Sequence, residues 1–298
     1  MSKLTLIINS DDYTMLHIHY LRNLFDKYFN IVEYELTATY DSRAIVVTNC
    51  LNKNQTWYTR LNCKVIIDNL WEQRRPTSTE AFVLTNQNWF WYNESLWYDS
   101  LGYADYVPEK TYQKIALMPM RLRKPHRDLL ISRFADYLDR FTYSYNSRGI
   151  FLPSDSSIDA PEHQRFFNKK WYDDTYFSIV AETEVRDSEI FITEKTFKPI
   201  AYHHPFMIFG QSGSLAYLTS QGYESYSNLF DERYDSSGSL LSRLQIIYDN
   251  VRNFELAPYT NETLGKLSHN RNLFFNKDIV VRRIYTEIIE PILKYAEI

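Results

Sequence analysis

Glycine is scarce, 7 in 298 residues. Neither Gly-x-Gly-x-x-Gly nor Gly-x-x-x-x-Gly-Lys occurs, which excludes the two glycine-cradled phosphate loops of dinucleotide and P-loop proteins. There is no Gly-x-Ser-x-Gly elbow either. Only 2 cysteines occur, Cys50 and Cys63, and they fit reduced thiols better than a disulfide framework. The 7 histidines are scattered. His17 and His19 are two apart and His203 and His204 adjacent, without a third ligand at metal spacing. Asp-x-Asp is absent, and Asp187-Ser188-Glu189 is a faint echo of it, so neither a metal nor a resident cofactor is expected. No apolar run approaches the roughly 18 residues of a membrane span. The start, MSKLTLIINSDD, reads as a first strand and not a leader, because its apolar run is short and no cleavage site follows. The net charge of −4 argues against binding nucleic acid by overall charge. The expectation is a soluble, cytoplasmic chain.

What the chain does hold is apolar and aromatic material, 44% and 16% of residues. Its length is enough for two domains. Strands are predicted at Leu4 to Ile8, Ile31 to Leu36, Ala44 to Thr48, Lys64 to Ile67 and Phe82 to Thr85. Leu16, Tyr20, Leu21, Leu24, Phe25 and Tyr28 fall on one helical face. After connecting chain at 102–108, strands recur at 115–118, 141–145, 177–181 and 206–209. Helices are predicted at Leu129 to Leu138, from Leu215 to a stop at Gly222, at Leu240 to Val251, and over 264–296 with a kink or break at Pro291. Alternating strands and helices imply an α/β fold with parallel sheets. The expected domains are 1–112 and 113–275, each Rossmann-like and facing the other across a cleft. A last helix, 276–298, is expected to return to the first domain.

Ligands of parallel sheets gather beyond the carboxyl ends of the strands, which directs attention to a few stretches. Thr193 can cap a helix, leaving the next N–H groups and Lys195 toward an anion. Glu194 beside it can accept hydrogen bonds from hydroxyls. An ordinary capped helix with a solvated lysine fits the same tripeptide. Arg121, Arg123, Lys124 and Arg127 follow the first strand of the second domain, where guanidinium forks suit phosphate; a solvated charge run is the plain alternative. Asp68 and Glu72 end the fourth strand. Asp68 reads as a strand-end cap, whereas Glu72 is a candidate general base. Asp11 and Asp12, at the end of the first strand, can line the same cleft or start a helix. Trp71, Trp89, Phe90, Trp91, Tyr92 and Trp97 offer stacking faces, or fill the core.

Taken together these segments resemble the alpha-fucosyltransferase family of inverting, two-domain glycosyltransferases. The match is specific at Ala181-Glu182-Thr183, Phe191-Ile192-Thr193-Glu194-Lys195 and the strand ending at Gly210. It is loose at Trp71-Glu72 and at Asn88 to Ser95. The resemblance implies a GT-B-like architecture and a nucleotide-sugar donor. By it, Glu72 is the base, Lys195 with Arg121, Arg123 and Arg127 holds diphosphate, and Glu182, Thr193 and Glu194 bind the donor. Asp11, Asp12, Trp71, Trp89 and Tyr92 would then face the acceptor. Thr183 stands where the family has Asn, Gln73-Arg74 replaces its Ser-Pro, and Pro199 should interrupt the helix after Lys195. These departures leave the donor sugar open. The segment after Gly210 is similar to uncharacterised transferases of tailed phages, which adds a hydroxymethylated pyrimidine in DNA to a glycan as an acceptor. The competing readings are a non-catalytic DNA- or glycan-binding protein and a sugar-nucleotide epimerase.

Overall fold

The computed structural model describes residues 3–9, 22–41, 43–49, 61, 63–68, 82–84, 88–152, 168–186, 190–236 and 238–297. Asp11, Asp12, Trp71, Glu72 and Cys50 lie outside the described residues, as does most of the helix expected before Tyr28. Two compact units result, Met1–Trp97 with Lys277–Ile298, and Tyr98–Asn276. The expected junction near residue 112 falls inside the second unit.

The first unit is built on β1 (Leu4–Ile8), β2 (Phe29–Glu33), β3 (Ile45–Asn49), β4 (Lys64–Asp68) and β5 (Phe82–Leu84). They pair in the order β2-β1-β3-β4-β5, all parallel. Leu6, Ile7, Ile45 and Val46 are fully buried. Consecutive apolar residues serve both faces of a parallel sheet when each face is covered. β2 sits two residues earlier than predicted because Phe29, packed on Phe25 at 5.7 Å, takes the core position. Leu36 at the far end is left exposed. The aromatic run forms α1 (Trp89–Ser100).

The second unit carries β6 (Lys114–Met120), β7 (Phe141–Tyr145), β8 (Thr175–Ala181) and β9 (Phe206–Phe209). Their order is β7-β6-β8-β9, again all parallel. The crossovers and flanks hold α2 (Pro125–Arg133), α3 (Lys169–Asp173), α4 (Glu194–Ala201), α5 (Ser214–Ser220), α6 (Leu240–Arg252) and α7 (Asn261–Phe274). Leu117, Met118, Phe177, Ile179, Met207, Ile208 and Phe209 form the sheet's buried centre. Both units are therefore parallel-sheet α/β folds, as the alternation of elements predicts.

Three helix expectations shift. α2 starts at Pro125 rather than Leu129, since proline's fixed φ and missing N–H suit a first helical position. It stops at Arg133, and 3-10 turns cover Ala135–Arg140 where more α-helix was predicted. Pro199 lies inside α4 without interrupting it. Proline there removes a single bond, to the Lys195 carbonyl, late in a two-turn helix. Pro291 has its effect upstream. Its missing N–H deprives the Glu287 carbonyl of a partner, and the chain widens into a π-helical turn at Tyr285–Ile289 between α8 (Lys277–Ile284) and α9 (Glu290–Glu297). Within the first unit, Lys64 Nζ donates to the carbonyls of Tyr295 and Ala296 at 3.1 Å each, tying the end of α9 to β4.

Candidate functional site

In the second sheet the chain passes from β6 to β7 on one side, then returns to β8 on the other. The strand order therefore reverses between β6 and β8, and a crevice opens beyond the carboxyl ends of strands at such a reversal. Two loops border it. One, Arg121 to Lys124, leads from β6 into α2. The other, starting at Glu182, leads from β8 into α4.

The β8 loop is organised by Glu182, which is fully buried. Its Oε1 accepts from the Thr193 N–H at 3.0 Å and the Thr196 hydroxyl at 2.7 Å. Its Oε2 accepts from the Thr193 hydroxyl at 2.6 Å and the Thr183 N–H at 3.2 Å. Four donors fill a carboxylate's acceptor sites. Glu182 was expected to bind donor hydroxyls; the structure corrects this, because protein groups already occupy both oxygens. Its backbone is gripped as well. The Glu182 N–H donates to the Phe209 carbonyl, and its own carbonyl meets His126 Nε2 at 2.9 Å. Burial, reinforced by the charges of Arg127 and Lys124, holds the His126 imidazole down at about 4, so at neutral pH the uncharged ring donates through Nε2–H. A Cβ added at Gly210 would lie 3.1 Å from Glu182 Cβ. Any larger residue there would press on Glu182.

Thr193 caps α4 as predicted, with its side chain accepting from the Lys195 N–H at 3.4 Å. Lys195 Nζ, about a quarter exposed, donates to Glu194 Oε1 at 2.7 Å, Thr193 Oγ1 at 3.1 Å and Thr183 Oγ1 at 3.3 Å. Three acceptors match the three donors of an ammonium group. Burial would raise the Glu194 carboxyl, but Lys195 and Lys198 outweigh it and hold it below its ordinary value. The start of α4 therefore presents a fixed, partly exposed cation, while its first N–H groups are held by Thr193 and by the Glu194 carboxylate; the cation and the helix dipole favour an anion.

Across the crevice the expected arginines divide. Arg127 is buried, its Nη1 donating to the Leu122 carbonyl at 2.8 Å and its Nη2 to those of Ala181 and Glu182 at 3.1 and 3.3 Å. Its expected contact with phosphate is thus replaced by a brace between the β6 and β8 loops, because starting α2 at Pro125 turns residue 127 inward. Arg123 is largely exposed and pairs with Asp128 at 3.0 Å, which also takes Arg148 at 2.7 Å and the Tyr145 hydroxyl at 2.8 Å. The Ser147 N–H donates to the Arg121 carbonyl at 3.0 Å, so Arg121 and Arg123 sit on a loop anchored to the end of β7.

The first unit gives a different result for the aromatic candidates. Trp89 and Tyr92 are buried in α1, whose first turn, Trp89 to Tyr92, is aromatic throughout. Such a turn belongs to a core. The Tyr92 hydroxyl donates to Glu287 Oε2 at 2.5 Å, and Asn88 Nδ2 reaches the same oxygen at 3.2 Å. Neither ring is placed to stack on an acceptor, which corrects that expectation.

Several organising residues had no local signal in the sequence. Gln211 Oε1 accepts from the Phe191 N–H at 2.6 Å and its Nε2 donates to the Arg186 carbonyl at 3.2 Å, pinning the β8 loop to the end of β9. Asp235 caps α5 from outside the helix, accepting from the N–H groups of Leu215 and Ala216 at 2.9 and 3.0 Å. Buried Arg243 donates through Nη1 to the Gly210 carbonyl at 2.7 Å. These partners are 19 to 33 residues apart.

A cavity of about 600 Å³ lies at the other end of the second sheet, bordered by Asp231, Asp249, Asn250, Phe254 and Tyr259. Its polar side chains are engaged internally: Asp231 with Arg233, Asp249 with Arg252, and Asn250 with the backbone of Asp231. It is remote from the strand ends just described. Among the described residues, no three His, Cys, Asp or Glu side chains are grouped to hold a metal, and no helix is long and apolar enough to cross a membrane.

No protein-family model matches the chain, and no curated protein does. Solved structures of α1,3-fucosyltransferase do align with it. One has a TM-score of 0.48 at 9% identity, covering 94% of this chain and 92% of the other. A second, with GDP-fucose, has 0.44 at 8%, covering 93% and 91%. A third, with GDP, has 0.46 at 8%, covering 94% and 93%. Likeness at this level carries no weight for activity, which must be argued from the chain's own residues.

Proposed function

We propose that the chain is an inverting, metal-independent glycosyltransferase that takes its sugar from a nucleoside diphosphate. One observation carries this: the Lys195 ammonium is fixed at the start of α4, at the switch point of a parallel sheet. A sugar diphosphate leaving group gains negative charge as the bond to the anomeric carbon breaks. Lys195 stabilises that charge, with Arg121 and Arg123 on the facing loop. Glu72 acts as base, removing the proton of the acceptor hydroxyl as its oxygen bonds the anomeric carbon from the opposite face. The acceptor is a hydroxyl of a glycan or of a modified DNA base. The motif resemblance around Thr193-Glu194-Lys195 supports the same donor class. The non-catalytic reading relied on Trp89, Trp91 and neighbouring cations, and burial takes both ring faces away.

A thermal-shift series with nucleoside diphosphates tests the donor half. At a hundredfold excess over Kd, a ligand bound to the folded state alone adds about 2.7 kcal/mol, so at least one nucleotide should raise Tm by several degrees. A flat series refutes the proposal. Glu72→Gln tests the base: transfer should fall about 100-fold or more, while nucleotide affinity and Tm stay at wild-type values. Full transfer by this variant removes Glu72 from the mechanism.

A further inference from the structure

We infer that Glu182, although it touches no ligand position, sets the orientation of Lys195 through the hydroxyl of Thr193. This rests on the donor site proposed above and deepens it. A threonine hydroxyl has one hydrogen and two lone pairs. At Thr193 the hydrogen is committed to Glu182 Oε2, at 2.6 Å. The lone pairs are therefore left to accept, and two donors of one residue take them: the Lys195 N–H at 3.4 Å and Lys195 Nζ at 3.1 Å. The buried carboxylate thus fixes the polarity of a two-bond relay that ends on the ammonium. The same carboxylate holds the Thr183 N–H, and the Thr183 hydroxyl is another acceptor of Nζ. Glu182 consequently controls two of the three contacts that aim Lys195. The third, Glu194, supplies charge.

Glu182→Gln separates this from plain structural support. Its amide nitrogen is a donor in place of an acceptor. If it faces Thr193 Oγ1, the relay reverses and a hydroxyl hydrogen points at the ammonium. If it faces the other way, the Thr193 N–H loses its acceptor. We expect Glu182→Gln to weaken nucleoside diphosphate binding about tenfold, the scale of one charge-assisted hydrogen bond. In a Lys195→Ala background the same change should alter affinity less than twofold, because the relay then has no end. Thr196→Val removes another Glu182 partner outside the relay; it should lower Tm and leave affinity within twofold. Titration calorimetry on the four combinations of wild type, Glu182→Gln and Lys195→Ala reads the result. Losses that multiply across the two sites, or a Glu182→Gln protein that binds normally, overturn the relay. If Lys195→Ala alone leaves affinity unchanged, the donor site itself is wrong and the relay falls with it.

Discussion

Lys195→Ala is expected to weaken nucleoside diphosphate binding by roughly 10- to 150-fold, the range of a hydrogen bond to a charged group. Transfer should fall at least as far, since the charge on the diphosphate grows as the sugar leaves. The ammonium is held by Glu194, Thr193 and Thr183 at 2.7, 3.1 and 3.3 Å. A phosphate oxygen replaces the longest of these and keeps the other two as guides. Lys195→Arg should restore little. A planar fork cannot reproduce three converging contacts of an ammonium. The substitution has a second, ligand-independent consequence. Glu194 is almost wholly buried, and Lys195 is the larger of the two charges that hold its carboxyl down against burial. Without Lys195 the Glu194 carboxyl should titrate at higher pH, which carbon-detected NMR of a labelled glutamate can read. Unchanged affinity and an unmoved Glu194 together would remove Lys195 from the site.

The elements of this site were legible to different depths. The Thr193 cap and the Lys195 position followed from three adjacent residues, because a helix start is a local event. The parallel sheets followed from apolar runs of strand length. Arg127 and Glu182 were misassigned for a shared reason: both have the charge that suits a ligand, and both are turned inward by contacts the local sequence does not display. Arg127 reaches carbonyls 54 and 55 residues away. Glu182 finds its donors 11 and 14 residues on, across a loop of undetermined path in the sequence. Trp89 and Tyr92 show the converse error. Their chemistry suits stacking, but the unbroken run from Trp89 to Tyr92 was the better guide, since four consecutive aromatic residues go right round one helical turn and leave that turn no polar face for solvent. A buried charge becomes recognisable only once its satisfied partners are seen.

Stability of the second unit should fall steeply below about pH 6.5, well before its carboxylates protonate. Burial, with Arg271 and Lys110 nearby, holds His203 down at about 4, and burial first holds His126 there too. His204, fully buried with its ring near Ser178 and Thr175, lies well below the ordinary value. In each case the folded value is below the unfolded value near 6.5. Between pH 4 and 6.5 the unfolded chain therefore binds more protons, and stability rises with pH across that window. Each histidine contributes a slope of about 1.4 kcal/mol per pH unit where the difference is complete. Lys110, whose Nζ donates to the Tyr172 carbonyl at 2.7 Å, is lowered by burial to about 7. It extends the same upward trend from pH 7 toward the ordinary lysine range. Glu184 has the same sign in a lower window. Its hydrogen bonds to Arg186 hold it at about 2, so the stability it adds is complete above about pH 4.5 and is lost as pH falls through 2. His203→Asn isolates one histidine. Residue 203 has φ 50, a left-handed conformation that asparagine tolerates better than most residues. The variant should fold, and its denaturant midpoint should depend less on pH between 4 and 6.5 by about one proton. An unchanged slope would show that His203 takes up its proton without unfolding the turn that follows α4.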